Sequence, residues 1–248
     1  MAKRFFIKNP DLHPGREQSL AKDFFLVDIE HNHLANVLRL KVGDKIIIVC
    51  GDEFDYHYKI TDIRKNSTKV EFSKRVENMC NPKSQLTVYI SLIKFDNLVT
   101  ALTKLSEIGV SDVVLFSSDY SNVPAKSVNM QKLEKILEQS CKQCERSIPI
   151  KLCGVISFGE VLKDLPKNTI FADEAQRFIA QPHRNSSPQD IINLAEAIVI
   201  GPEGGFSDRE RVELGKIAKS ISLGPRILRT ETAAIVASTL VLASKGEF

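Results

Sequence analysis

The sequence predicts an α/β protein with two domains, and two changes of pattern along the chain indicate this fold class. Short strand-like runs separated by Gly, Asp and Asn turns dominate residues 1–76, which is typical of a small β-barrel. Strand-like runs alternate with helix-like runs over residues 85–248, which is typical of a layer with a largely parallel sheet. Residues 77–84, with Asn78, Asn81 and Pro82, are expected to link the two domains.

The elements of the first domain are predicted from apolar runs and from alternation. Residues 45–50 form an apolar run that follows a Gly43-Asp44 turn signal. Polar and apolar side chains alternate over residues 53–60 and, more loosely, over residues 67–72, so we expect three strands here. Residues 31–40 carry apolar side chains at the spacing of a helix.

The elements of the second domain are predicted from the same two periodicities. Helices are expected at residues 97–108, at 130–144, after residue 188 and at 233–243, and strands at residues 86–92, 112–116, 169–172 and 197–200. Gly109 is expected to end the first helix of this domain. Residues 178–187 are expected to form a surface loop.

Composition bounds the function without identifying it. An apolar fraction of 43% excludes a mainly disordered chain, and a net charge of +3 is too small to indicate a nucleic-acid binder. The chain has five cysteines and no apolar leader, which is typical of the reducing cytoplasm. The apolar stretch at residues 233–243 is too short to cross a bilayer, so no membrane role is expected.

A metal site is not expected from the cysteine pattern. Cys141 and Cys144 form a single C-x-x-C inside a helical pattern, without a second pair or a nearby histidine. A structural zinc ion takes four ligands, and a redox pair needs a strand–loop–helix setting. Packing or surface positions are therefore the better interpretation of both cysteines.

The first of two Gly/Pro loops spans residues 200–207 and reads Ile-Gly-Pro-Glu-Gly-Gly-Phe-Ser. Ser207 and Glu210 have the spacing of a capping box, which predicts a helix that begins at Ser207. A phosphate site is disfavoured because Glu203 would repel phosphate oxygens and neither a G-x-G-x-x-G nor a G-K-[ST] sequence is present. A ligand of positive or mixed charge fits better, and a tight turn without a ligand is the alternative.

The second loop, residues 223–233, reads Leu-Gly-Pro-Arg-Ile-Leu-Arg-Thr-Glu-Thr-Ala. Ile227 and Leu228 supply an apolar wall between Arg226 and Arg229, and Thr230 is expected to cap the following helix. The two arginines are either solvated surface charges or contacts for nucleic-acid phosphates. Two such loops about twenty residues apart can form a backbone-lined pocket at one edge of a sheet.

Together the two loop sequences resemble the ribosomal RNA small subunit methyltransferase E family of the SPOUT superfamily, whose members methylate N3 of a uridine in 16S rRNA. The resemblance covers nearly the whole chain. Other stretches in family order include Arg4-Phe5-Phe6, His33 with Val37-Leu38-Arg39, Lys104 with residues 107–110, and Gln143-Cys144 with Arg146 and Pro149.

The resemblance implies an S-adenosylmethionine-dependent RNA methyltransferase that needs no metal. It implies a C-terminal SPOUT domain with a deep trefoil knot, a homodimer formed through that domain, and a PUA-like N-terminal barrel that helps to hold the small ribosomal subunit. The residues that it assigns to cofactor binding are Phe171, Ala172, Ile200, Gly201, Glu203, Gly204, Gly205, Leu223, Gly224, Ile227 and Leu228. Glu203 would either face the cationic sulfonium or hold its loop by accepting backbone hydrogen bonds.

The resemblance also suggests roles toward RNA. Arg229 is expected to stabilise the charge that develops on the uridine imide. Phosphate or base contacts are expected from Arg4, Arg39, Lys94, Lys104, Arg146 and Arg226. Two alternatives stay open: a SPOUT methyltransferase that acts on another rRNA or tRNA nucleotide, and an RNA-binding ribosome assembly factor without activity.

One segment departs from the family pattern. Relatives commonly carry an arginine between the strand at residue 112 and the helix at residue 130, where this chain has Asp119-Tyr120-Ser121-Asn122-Val123-Pro124. If that arginine touches RNA, Tyr120, Lys126 or another residue must replace it, or the target nucleotide differs.

Overall fold

The computed structural model describes residues 3–7, 23–173 and 188–248. The loop predicted at residues 178–187 lies outside the described residues. The chain divides into two compact units, Met1–Asn81 with Cys141–Pro149 and Pro82–Ser140 with Ile150–Phe248. No sequence signal predicted that residues 141–149 would join the first unit.

The first unit contains a five-stranded sheet. Its strands are β1 (Lys3–Phe6), β2 (Phe24–Val27), β3 (Lys45–Val49), β4 (Phe54–Ile63) and β5 (Ser67–Glu77). Their order is β1-β3-β4-β5-β2; β1 runs parallel to β3, and the other pairs are antiparallel. The three predicted strands are confirmed, with β4 and β5 longer than expected. The predicted helix at residues 31–40 is instead a short helix α1 (Asp28–Asn32) that continues into a π-helical turn (His33–Val37).

Alternation in the strands builds the core of this unit. Phe5, Ile46, Ile48 and Ile60 are fully buried. Tyr58 lies edge-on between Phe24 and Phe72, at ring-centroid distances of 5.2 and 5.7 Å, a geometry that aromatic pairs prefer.

Side-chain hydrogen bonds hold residues 141–149 in the first unit. Asn78 donates from Nδ2 to the Glu145 carbonyl oxygen at 2.8 Å and to Asp55 Oδ1 at 2.7 Å. Asn81 donates to Ser147 Oγ at 2.8 Å and accepts from the Ser147 amide at 3.1 Å. Since Glu145 and Ser147 lie more than sixty residues from Asn78 and Asn81 in the sequence, local patterns do not reveal these contacts.

Arg4 and Asp55 form a largely buried ion pair at the same place. The Arg4 guanidinium donates to both carboxylate oxygens of Asp55, at 2.9 and 2.7 Å, and the two side chains are 9% and 11% exposed. Such a two-pronged pair fixes the geometry of both groups. Removing one partner leaves the other charge buried without compensation.

We therefore expect Asp55→Ala to lower the free energy of unfolding by about 3 kcal/mol, measured by urea titration with circular dichroism. Asp62→Ala is the matched control, because the Arg64–Asp62 pair is exposed and such pairs contribute about 0–1 kcal/mol. Equal effects of the two substitutions would contradict the structural role of the Arg4–Asp55 pair.

The second unit contains a six-stranded sheet in which every described pairing is parallel. Its strand order is β11-β9-β10-β6-β7-β8. The strands are β6 (Thr87–Ser91), β7 (Asp112–Ser117), β8 (Lys151–Ser157), β9 (Thr169–Ala172), β10 (Ala197–Ile200) and β11 (Lys219–Ile221). The helices are α2 (Phe95–Ile108), α3 (Met130–Gln143), α4 (Phe158–Asp164), α5 (Pro188–Asn193), α6 (Asp208–Ile217) and α7 (Thr230–Ser244).

The predicted α/β fold with a parallel sheet is confirmed. Both faces of the sheet are covered: Val88, Ile90 and Leu102 belong to one buried cluster, and Tyr89 and Phe206 to another. Helices on both faces are the usual cover of a parallel sheet. The helix ending at Gly109 is confirmed, with Gly109 left-handed at φ 99°, a conformation that glycine adopts without strain.

Sequence patterns missed β8 and α4. The capping box of Ser157 and Glu160 starts α4 and was present in the sequence as a signal. Within the described residues, no helix combines the length and the apolarity that a membrane crossing requires. In the same residues no group of three or more His, Cys, Asp or Glu side chains is arranged to hold a metal ion.

Candidate functional site

Three neighbouring parallel strands of the second unit end at the same level. Ile200, the last residue of β10, pairs with Ala172, the last residue of β9, and Ala172 pairs with Ile221, the last residue of β11. The segments that leave these strands therefore start side by side. Ligands of open α/β sheets bind at this carboxyl edge.

A cleft lies between those segments. Its empty space is about 630 Å³, including the solvent in its open mouth. Both Gly/Pro loops line it. The lining residues are Ala172, Asp173, Ile200, Gly201, Pro202, Glu203, Gly205, Phe206, Ser222, Leu223, Gly224, Arg226, Ile227, Leu228, Thr230 and Ala233.

Most residues predicted to bind a cofactor meet at this cleft. Those that line it are Ala172, Ile200, Gly201, Glu203, Gly205, Leu223, Gly224, Ile227 and Leu228. Two others lie beside it. Phe171 is buried in the core, where its ring meets the Phe206 ring edge-on at 6.0 Å, and Gly204 faces Tyr120.

Two glycines of the cleft are required by geometry. Gly224 is left-handed at φ 101°, and a Cβ there would meet nothing within 4 Å, so its open side is available for close approach by a ligand. A Cβ on Gly201 would lie 3.1 Å from the Phe206 ring. The first loop therefore packs its backbone directly on that ring.

The charged groups of the cleft have different surroundings. Glu203 is exposed and accepts a hydrogen bond from Asn97 Nδ2 at 3.1 Å. Asp173 is buried and accepts from Arg211 Nε at 3.1 Å. Sequence reasoning missed Asp173, although an acidic residue directly after a predicted strand was a usable signal.

The predicted capping box at the start of α6 is confirmed, and it has a second role. Glu210 is fully buried and accepts from the Ser207 amide at 3.0 Å. The same carboxylate accepts from Ser118 Oγ at 2.9 Å and from the Asp119 amide at 2.9 Å. Glu210 thus fastens the turn after β7 to the end of the first Gly/Pro loop, which sequence patterns did not predict.

Asp119 adds a second connection between the same segments. It accepts from Ser207 Oγ at 2.6 Å and from Arg209 Nη2 at 2.7 Å. The hydrogen bond from Arg209, and after it that from Ser207, holds the pKa of the Asp119 carboxyl below its usual value. The carboxylate therefore stays ionised at neutral pH, and its contribution is lost only as the pH falls through that lowered pKa.

The start of α7 differs from the expectation. The N-cap is Arg229, without a side-chain capping bond, so the prediction that Thr230 caps the helix was wrong. Thr230 is instead the first helical residue, buried against the cleft. The Arg229 side chain is 81% exposed, and its Nη1 lies 4.0 Å from Glu231 Oε1.

The six residues expected to contact RNA fall into two groups. Arg39, Lys94, Lys104 and Arg226 are exposed, and Lys104 forms a surface pair with Glu107. Arg4 is held by Asp55, and Arg146 is 2% exposed. Burial favours a structural role for Arg4 and Arg146, because a buried guanidinium does not reach a phosphate without rearrangement.

We expect Glu210→Ala to lower the free energy of unfolding by about 2 kcal/mol, because three donors lose their acceptor at once. Chemical denaturation measures this loss. Glu213→Ala, on the same helix, removes only an exposed pair with Lys216 and should cost less than about 0.5 kcal/mol. A Glu210→Ala protein as stable as the Glu213→Ala protein would show that the Glu210 contacts contribute no stability.

Comparison with known proteins agrees with this architecture. Residues 80–242 match the RNA methyltransferase domain family, and residues 30–73 match the RNA methyltransferase PUA domain family. The ribosomal RNA small subunit methyltransferase E of Rickettsia conorii is 32% identical over 208 residues, which cover 83% of each chain. The protein of the same name from Mesomycoplasma hyopneumoniae is 33% identical over 221 residues, which cover 86% of this chain and 90% of that one.

A solved structure shares the fold. It is a ribosomal RNA small subunit methyltransferase E from Neisseria gonorrhoeae bound to S-adenosyl methionine, with a TM-score of 0.81 and 22% identity, covering 99% of this chain and 98% of that one. The sequence relationship, the two domain matches and the shared fold lead to one conclusion: the chain belongs to the ribosomal RNA small subunit methyltransferase E family of RNA methyltransferases.

Proposed function

We propose that this chain uses S-adenosylmethionine to methylate N3 of a specific uridine in the 16S rRNA of the small ribosomal subunit. The observation that carries the proposal is the cleft formed by two Gly/Pro loops at the carboxyl ends of β9, β10 and β11, which lie side by side in the sheet. Family membership supports the reaction, and the small-subunit relatives support the RNA. Methylation of uridine N3 is the role of this family.

The cleft residues fit the cofactor chemically. Apolar side chains of Ile200, Leu223 and Leu228 would receive its apolar parts, and the open side of Gly224 lets a ligand approach the backbone closely. Glu203 favours a cationic ligand over a phosphate. S-adenosylmethionine supplies, when bound, a methyl group that its sulfonium centre makes electrophilic.

Arg229 is proposed as the catalytic residue. Its guanidinium is exposed. Arg229 is the N-cap residue of α7 and directly follows residues 226–228, which line the cleft. The uridine imide gains negative charge as its N3 proton leaves, and a guanidinium beside it stabilises that charge. Arg226 contacts the RNA at the cleft, and Arg39, Lys94 and Lys104 contribute phosphate contacts elsewhere.

The larger organisation is also proposed. Residues 1–76 form a PUA-like barrel that binds RNA, residues 77–84 link it, and residues 85–248 form a SPOUT domain with a trefoil knot, acting in the cytoplasm. What supports the knot is the strand order, in which the connection from β10 to β11 passes β9, the strand that lies between them. Leu240, an exposed apolar residue of α7, supports a homodimer through this domain.

Two measurements test the function. Calorimetry should detect binding of S-adenosylmethionine, and 16S rRNA from cells without the gene should lack one 3-methyluridine that the wild-type gene restores. Absence of cofactor binding would favour an RNA-binding assembly factor without activity. A different missing modification, in rRNA or tRNA, would favour a SPOUT methyltransferase with another target.

Gly224→Ala should raise the Kd for S-adenosylmethionine at least tenfold, because a methyl group would enter the cleft and the left-handed backbone would be strained. Gly154→Ala is the matched control, since Gly154 has the same φ of 101° and equally open surroundings but does not line the cleft. Calorimetry on both proteins separates loss of the site from general strain. Equal Kd values would count against a cofactor site at Gly224.

Arg229→Ala should lower kcat about 100-fold and change the Kd for S-adenosylmethionine by less than about threefold. Single-turnover methylation of small subunits and calorimetry measure the two effects. Arg229→Lys keeps the charge without the planar fork and should retain part of the rate. A parallel loss of rate and cofactor affinity would assign Arg229 to the pocket and not to the reaction.

A further inference from the structure

We infer that Tyr120 is a stacking surface for a base of the RNA substrate at the rim of the cleft. The inference rests on the proposed function and names one residue that positions the RNA. Tyr120 stands in the turn after β7, between Asp119 and Ser121.

The backbone on both sides of Tyr120 is fastened. Asp119 is held by Glu210, Ser207 and Arg209. Ser121 donates its amide to the Ser118 carbonyl at 3.0 Å, and its hydroxyl shares a 2.8 Å hydrogen bond with Ser91 Oγ. A backbone held in this way lowers the ordering cost of the turn when a ligand arrives.

That side chain is nevertheless exposed. Tyr120 is 52% exposed, whereas the other three tyrosines, Tyr56, Tyr58 and Tyr89, are buried. Among the described residues, none forms a hydrogen bond or a ring contact with the Tyr120 side chain. A large ring that stays half exposed on a hydrogen-bonded turn is available for binding.

The ring lies one residue from the cleft wall. A Cβ built on Gly204 would be 3.2 Å from Tyr120 Cβ and 3.7 Å from its Cγ. The two neighbours of Gly204, Glu203 and Gly205, line the cleft. Gly204 therefore lacks a side chain where Tyr120 needs the space, and this contact keeps the ring beside the proposed cofactor site.

The chemistry favours a base over a phosphate. Tyr120 follows Asp119, whose carboxylate is paired with Arg209, and the contacting Gly204 follows Glu203. These neighbouring positions supply no unpaired cation for a phosphate. An aromatic ring instead stacks on the face of an unpaired base, as in single-stranded RNA recognition. Loss of one such contact typically weakens binding by about 5-fold to more than 100-fold.

The test compares Tyr120→Ala, Tyr120→Leu and Tyr120→Phe in methylation of small ribosomal subunits. The alanine and leucine proteins should lose about tenfold in kcat/KM for the RNA, and the phenylalanine protein should stay within about twofold of wild type because it keeps the ring. The Kd for S-adenosylmethionine should change less than twofold in all three. Leucine keeps much of the side-chain volume, so loss of packing alone would spare it.

Leu194→Ala is the control, since Leu194 is similarly exposed but precedes β10, at the opposite end of the strand from the cleft. Unchanged kcat/KM in Tyr120→Ala, or a matching loss of cofactor affinity, would overturn the inference. A changed oligomeric state of Tyr120→Ala in sedimentation would also overturn it by assigning Tyr120 to a subunit contact. If the wild-type protein does not methylate the subunit, the proposed function and this inference both fail. If the wild-type protein is active and the Tyr120 variants are unchanged, only this inference fails.

Discussion

The level pairing of β9 with β10 and β11 is the constraint on which the rest of the second unit depends. Because Ala172 pairs with both Ile200 and Ile221, three chain segments leave the sheet at one height. A slip of one residue in either pairing would turn the side chains of a strand to the other face and displace its loop. The cleft is thus a consequence of strand register. The glycines allow the loop backbones to take the conformations that line the cleft.

A buried carboxylate extends this arrangement to a third segment. Glu210 uses its oxygens for the helix cap and for the turn after β7, so one side chain joins α6, the end of the first Gly/Pro loop and the turn with Tyr120. A buried carboxylate is costly unless its acceptors are used. Both Glu210 oxygens accept hydrogen bonds, and these bonds hold the backbone of the turn that carries Tyr120.

The sequence predicted the features that depend on neighbouring residues, such as the ends of helices. Glycine at 109 and the Ser207–Glu210 spacing signalled helix ends, and both are confirmed. The second role of Glu210, the return of residues 141–149 to the first unit and the burial of Arg4 depend on partners 51 to 92 residues away. No periodicity encodes such partners, so the cleft could be anticipated from its loops while its supports and the fate of Arg4 and Arg146 could not.

A crystal structure of this chain with S-adenosylmethionine tests the central claim most directly. We expect ligand density between residues 201–206 and 222–230, against Ala172 and the open side of Gly224. Density in the separate cleft lined by Tyr89, Asp112 and Asp164, with the two loops empty, would contradict a cofactor site built on the ends of β9, β10 and β11.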